Sequence, residues 1–171
     1  MESRYRGNAA VLGNNIDTDQ IFPGRYLALV DPEEIKSHCL EDCDPTLQQR
    51  FKKGDIITAG SNFGCGSSRE HAVIALMHLG ASVIIADSFA RIFYRNALNL
   101  GLPLIVCKGI SQKVKEGDVL EADIETGVIK NLTRGEEYAG EQIGEYALEI
   151  LKAGGIKPLM RKRTMAEKEM K

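Results

Sequence analysis

Three short runs along the chain are apolar without alternation: Ile56-Ile57-Thr58-Ala59, Val83-Ile84-Ile85-Ala86 and Leu104-Ile105-Val106-Cys107. They are rich in β-branched residues and bounded by Gly-Asp, Ala-Ser or Gly-Leu-Pro, the pattern of strands buried on both faces. Between the first two, residues 71–79 carry Val73, Leu76, Met77 and Leu79 at helical spacing with Gly80 behind them, which predicts a helix with a glycine stop. Residues 88–99 repeat the arrangement, with Phe89, Ile92, Phe93 and Leu98 near one face and Gly101 beyond the end. Strand, helix, strand, helix, strand in this order predicts an α/β fold with a small parallel core sheet and right-handed crossovers.

The flanks follow another period. Residues 4–12 suit a strand, and residues 118–138 alternate short β runs with Glu-Thr-Gly and Thr-Arg-Gly turns, which predicts antiparallel strands added to the parallel core. Residues 146–153 read as a short helix ahead of Gly154-Gly155. Residues 161–171 are so rich in charge that they read as a solvated, frayed tail. With no repeat, low-complexity segment or long Pro/Gly linker, the economical organisation is one domain over residues 1–160 and a charged tail over residues 161–171.

Composition narrows the partners. The 171 residues include 22 Lys and Arg against 24 Asp and Glu, for a net charge of −2, so no broad field attracts nucleic acid or an anionic membrane. The first residues, Met-Glu-Ser-Arg-Tyr-Arg, lead into polar turn residues without the apolar stretch of a secretory signal. No apolar run approaches the ~18–20 residues that span a bilayer. The four cysteines, Cys39, Cys43, Cys65 and Cys107, are too few for a disulfide-stapled secreted domain and include no Cys-x-x-Cys pair. A cytoplasmic protein is expected.

The candidate chemistry lies in Gly64-Cys65-Gly66-Ser67-Ser68-Arg69-Glu70-His71, between a predicted strand and a predicted helix start, where unpaired backbone N–H groups and the positive end of the helix dipole favour an anion. Ser67 with Glu70 also satisfies the Ser-x-x-Glu capping box, which by itself accounts for a serine here. One cap needs one serine, however, and two upstream glycines permit close backbone approach to a ligand. Arg69 adds a planar fork suited to a carboxylate. A phosphate loop would need Gly-Lys-Ser/Thr, which the run lacks, so a carboxylate fits better. His71, in the first turn of an amphipathic helix, reads as a structural hydrogen bonder. Arg91 and Arg95 lie four apart on one helix face, where partner contact or structural pairing outweighs a substrate role.

The run 62–71 followed by Ser88-Phe89-Ala90-Arg91-Ile92-Phe93-Tyr94-Arg95-Asn96, with Asp17-Thr18-Asp19-Gln20-Ile21, Pro23 and Tyr26-Leu27 upstream, resembles the small subunits of isopropylmalate isomerase and homoaconitase, swivel domains of the aconitase superfamily. The likeness covers about residues 5–160. It implies a layered β/β/α swivel domain. It also implies that Ser67 is the base that takes a proton from the carbon beside a carboxylate, and that Ser68 and Arg69 bind the substrate. By the same resemblance a 4Fe-4S cluster sits on a separate large subunit, with no cofactor or metal on this chain, which is inactive alone; the heteromer is a dimer or tetramer of the two chain types.

The resemblance further assigns substrate selection to the loop Tyr26, Leu27, Ala28, Leu29 and Val30. Homoaconitase-like chains carry an arginine directly after Tyr-Leu, suited to an extra carboxylate; Ala28 stands there in this chain. An aliphatic wall and a cationic fork are opposite solutions, because a buried charge without a partner costs several kcal/mol. The loop therefore points to 2- and 3-isopropylmalate, and so to leucine biosynthesis, with a dimethylmalate or citramalate type, or homoaconitase, as the alternative. Arg25 precedes the tyrosine, with structural pairing or contact with substrate or partner equally open. His38 with Cys39-x-x-x-Cys43 is the nearest approach to a metal site, Cys65 reads as a small residue under the helix and Cys107 as core. A reading of another class keeps the serine-arginine run as a noncatalytic, regulatory carboxylate site.

Overall fold

The structure, a computed structural model, describes residues 3–171; Met1 and Glu2, with which the expected domain begins, lie outside the described residues. Four strands, β1 (Arg4–Val11), β2 (Ile56–Ala59), β3 (Val83–Ala86) and β4 (Leu104–Val106), are followed by β5 (Val119–Asp123), β6 (Val128–Asn131) and β7 (Glu136–Ala139). Among them run helices α1 (Thr18–Ile21), α2 (Pro32–His38), α3 (Leu47–Arg50), α4 (His71–Leu79), α5 (Arg91–Leu100), α6 (Glu145–Ala153) and α7 (Ile156–Glu169). The strands form one mixed sheet in the order β4-β3-β2-β1-β5-β6-β7. Pairing is parallel from β4 to β1, with Ile57 opposite both Ala10 and Ile84, and antiparallel from β1 to β7, with Tyr5 opposite Ala122.

The parallel strands are apolar on both faces because each face has a cover. Ile57, Ala59, Ile84, Ala86 and Leu104 face α4 and α5, where Val73, Leu76, Leu79, Phe93 and Ala97 meet them. The intervening Ile56, Val83, Ile85 and Ile105 face Leu120, Ala122, Ile129 and Tyr138 of the antiparallel half. Parallel half, antiparallel half and helices thus make the expected layers, each buried Ile or Leu contributing about 1.5–3 kcal/mol of hydrophobic stabilisation. The layering works because the sheet curls: the N–H of Glu141, just past β7, donates to the carbonyl of Val106 in β4 at 2.7 Å.

Gly80, Gly101 and Gly154 end α4, α5 and α6 in the left-handed conformation, as their positions predicted. Other expectations change. Helix α5 begins at Arg91 rather than at residue 88, because the Ser88 carbonyl accepts from Phe63 N–H and Ala90 N–H donates to the Phe63 carbonyl, holding residues 88–90 extended. Met77 and Ile92, counted among the apolar positions of their helices, are 40% and 51% exposed. Residues 161–169 continue α7 as exposed turns rather than fraying; Leu159 anchors that helix, and Arg163 pairs with Glu149 of α6 at 2.9 Å.

Candidate active site

The loops that leave the carboxyl ends of β1, β2 and β3 lie side by side. Gly64 N–H donates to the Ile16 carbonyl and Thr18 N–H to the Cys65 carbonyl, both at 2.7 Å, and Phe63 bridges Phe89. Ligand sites of open α/β sheets form at this end of the strands. Gly64, at φ +85°, lies against the Phe93 ring so closely that a methyl group in its place would stand 2.1 Å from a ring carbon. Gly66, at φ +107°, brings the chain against Thr18, where an added methyl would stand 3.0 Å from Oγ1.

Ser67, Ser68 and Arg69 emerge exposed from this packing. Arg69 Nε donates to Ser67 Oγ at 3.0 Å, Ser67 N–H donates to Thr18 Oγ1 at 3.0 Å, and the two hydroxyl oxygens are 3.2 Å apart. Asn96 of α5 donates to the Ser68 carbonyl at 3.0 Å, leaving the Ser68 hydroxyl unbonded among the described residues. The Arg69 guanidinium stands 3.6 Å from Asp19, a half-exposed pair of small energetic weight that a carboxylate ligand can displace.

The Ser67–Glu70 capping box does not form. Helix α4 starts at His71 with Glu70 as its N-cap, without a side-chain cap, so the serines precede the helix by several residues and Ser67 turns toward Thr18 instead. A capping box does form at α1, where Asp17 and Gln20 bond reciprocally at 2.9 and 3.0 Å. That Asp-x-x-Gln signal was legible, yet Thr18, the residue it positions against Ser67, was not singled out from the sequence.

The loop 23–30 reaches this site through Gly24: its N–H donates to Asp19 at 3.1 Å, and a methyl added there would stand 3.7 Å from Arg69 Nη1. Tyr26 faces away, stacked on His38 at 3.8 Å with its hydroxyl donating to Glu41 at 2.6 Å. Leu27 and Leu29 pack against the core, while Ala28 and Val30 remain exposed, Val30 at 88%. Arg25 is paired within the chain, bidentate to Asp42 at 2.7 and 3.0 Å and bonded to Glu41 at 2.7 Å. Burial pushes the Glu41 carboxyl up, but donors from Tyr26, His38 and Arg25 prevail and bring it down to about 2.

The His71 ring is exposed and makes no hydrogen bond among the described residues, against the structural bonding expected of it. Arg91 and Arg95 form no ion pair among the described residues; with Phe89, Tyr94 and Tyr146 they line an open groove of about 440 Å³. The four cysteines are free thiols, burial pushing Cys39 far up. Among the described residues no three His, Cys, Asp or Glu side chains gather where they can hold a metal ion. No described helix is long and apolar enough to cross a membrane.

A helix-covered mixed sheet carrying Gly-Cys-Gly-Ser-Ser-Arg at the mouth of its parallel half defines an aconitase-type domain, and residues 9–108 match the aconitase C-terminal domain family. The chain belongs to that family, in its branch of 3-isopropylmalate dehydratase small subunits. It is 54% identical to the isopropylmalate/citramalate isomerase small subunit of Methanocaldococcus jannaschii, covering 99% of this chain and 100% of the relative. It is 48% identical to 3-isopropylmalate dehydratase small subunit 1 of Methanopyrus kandleri, with 95% of each chain covered. The crystal structure of a 3-isopropylmalate dehydratase from Methanocaldococcus jannaschii superposes with a TM-score of 0.93 at 41% identity, covering 98% of this chain and 99% of that one.

Proposed function

We propose that this chain is the small, substrate-binding subunit of a hydro-lyase that interconverts 2- and 3-isopropylmalate by dehydration and rehydration, the isomerisation of leucine biosynthesis. Residues 1–160 form its swivel domain and residues 161–171 a charged extension, in a cytoplasmic heterodimer or heterotetramer with a large subunit. The carrying observation is the convergence of Ser67, Arg69 and Gly24 of the loop 23–30 at one mouth of the sheet. Arg69 and the free Ser68 hydroxyl bind one substrate carboxylate. Ser67, as an alkoxide steadied by the Arg69 Nε–H, takes the proton from the adjacent carbon. The O–H bond of Ser67 forms as the C–H bond breaks, its electron pair becomes the carbon–carbon double bond, and hydroxide leaves the neighbouring carbon. Addition of water in the reverse sense, with the two carbons exchanged, yields the isomer. Closure of a partner over this exposed loop excludes water and strengthens each of these interactions.

Departure of the hydroxyl calls for a Lewis acid, which the 4Fe-4S cluster expected on the large subunit supplies when bound. The described residues of this chain do not fit that cluster: Cys39 is fully buried and Cys107 nearly so, and among the described residues no donor group of three gathers.

Ala28 and Val30 present an aliphatic surface to the isopropyl group, and Arg25 is committed to Asp42 and Glu41, which supports isopropylmalate over homocitrate. The small Ala28 side chain, with the combined isopropylmalate/citramalate name of the Methanocaldococcus jannaschii relative, favours citramalate as a second substrate. Anaerobic reconstitution with cluster-bearing large subunits, followed by rates on isopropylmaleate, citraconate, dimethylmaleate and cis-homoaconitate, tests this reading. Isopropylmaleate is expected to be hydrated fastest. Activity on cis-homoaconitate with none on isopropylmaleate would overturn the loop assignment.

A further inference from the structure

We infer that Thr18 is a positioning residue for the proton-transfer step, its hydroxyl donating to the Ser67 oxygen when that oxygen carries negative charge. This rests on the reading of Ser67 as the base. Thr18 is 5% exposed, and its Oγ1 accepts from Ser67 N–H at 3.0 Å while lying 3.2 Å from Ser67 Oγ. Either hydroxyl can donate in the neutral pair. An alkoxide at Ser67 has no proton to give, so Thr18 becomes the donor by necessity.

The two contacts together close a small ring through Ser67 N, Cα, Cβ and Oγ, which fixes the Ser67 rotamer. Arg69 Nε approaches the same oxygen at 3.0 Å. Two donors then converge on one oxygen, one cationic and one neutral, the arrangement that stabilises an oxyanion without reorganisation at the moment of reaction.

The fold holds Thr18 in place independently of the serine. Its N–H donates to the Cys65 carbonyl at 2.7 Å, it opens α1 inside the Asp17–Gln20 capping box, and glycine at 66 leaves the space its hydroxyl needs. A β-branched side chain has few rotamers to lose, so the hydroxyl is held at little entropic cost. Serine at this position retains the donor; valine retains the shape and removes it.

The test uses the complex reconstituted with the large subunit and four forms of this chain: wild type, Thr18→Val, Thr18→Ser and Ser67→Ala. Turnover is measured with ordinary substrate and with substrate deuterated at the carbon that loses its proton. Thr18→Val is expected to lower kcat about 10²-fold, the scale of removing one oxyanion donor, with KM within about threefold of wild type. Its isotope effect on kcat should rise, because proton removal becomes more rate-limiting; fewer active molecules alone would leave that effect unchanged.

Thr18→Ser should stay within about threefold of wild type in kcat. If Thr18→Val does not assemble, Thr18→Cys, with a thiol of similar size and weak donor strength, carries the same expectation. Near-normal turnover of Ser67→Ala overturns the base assignment and this inference with it. A collapse in Ser67→Ala beside normal kcat and isotope effect in Thr18→Val overturns the Thr18 inference alone, as does a loss in Thr18→Ser equal to that in Thr18→Val.

Discussion

Asp118 and Ser67 anchor polar clusters on opposite halves of the sheet. Asp118, 4% exposed at the edge of β5, accepts from Lys115 N–H, Asn131 and Arg134 at 3.0, 2.9 and 2.8 Å. Burial raises its carboxyl, yet these donors prevail and hold it below the usual range. Ser67 is exposed, Arg69 beside it has only a loose contact with Asp19, and the Ser68 hydroxyl is unbonded among the described residues. The Asp118 cluster ties turns of the antiparallel half together and is satisfied internally. The parallel half leaves the Ser68 hydroxyl and the Arg69 fork solvated at its mouth, open to a ligand that replaces water.

Substitutions across the two halves should separate these roles. Gly64→Ala, which forces a methyl against Phe93 in a left-handed backbone, should have the largest effect on the fold: about 2–5 kcal/mol from overpacking and conformational strain, read as a large fall in the melting temperature. Arg69→Lys should fold normally but lose about 10²-fold in kcat/KM in the reconstituted enzyme, since an ammonium cannot bond Ser67 and grip a carboxylate as a fork does.

Asp118→Asn should reverse that pattern, with activity per folded molecule near wild type but stability lower by about 1–3 kcal/mol at neutral pH, the cost of weakening buried hydrogen bonds. Its folded carboxyl lies below the unfolded value of about 3.9, so the stability it adds is present above that value and lost as pH falls through the folded one. Urea titrations at descending pH should therefore show the wild-type advantage shrink below about pH 4. Arg25→Ala, at a half-exposed ion pair, should have the smallest effect on both stability and turnover; a loss of turnover would place Arg25 at the substrate after all.

The parallel half was legible in sequence because its strands are covered on both faces and its helices stop at glycines 80 and 101, which are local signals. Curling of the sheet was not, since the bond from Glu141 to Val106 joins segments with no local mark of their pairing. The serine loop misled for the same reason. Ser-x-x-Glu describes a capping box when only neighbours compete for the serine, but a threonine 49 positions away claims both its N–H and its hydroxyl. Proximity of Gly24 to Arg69, which brings the loop 23–30 to the serines, is likewise tertiary. The residues expected to carry the chemistry came from motif resemblance, because an exposed serine and arginine have no local pattern that marks a reaction.

On the proposed mechanism, Ser67 removes the substrate proton in an active site completed by another chain. Dehydration of isopropylmalate by the reconstituted complex, followed by the ultraviolet absorbance of the conjugated product, tests it most directly. Wild type and Ser67→Ala should show similar KM, with kcat lower by about 10³-fold or more in the variant. Turnover of Ser67→Ala within a few-fold of wild type would contradict the claim and leave the serine-arginine loop a binding site alone.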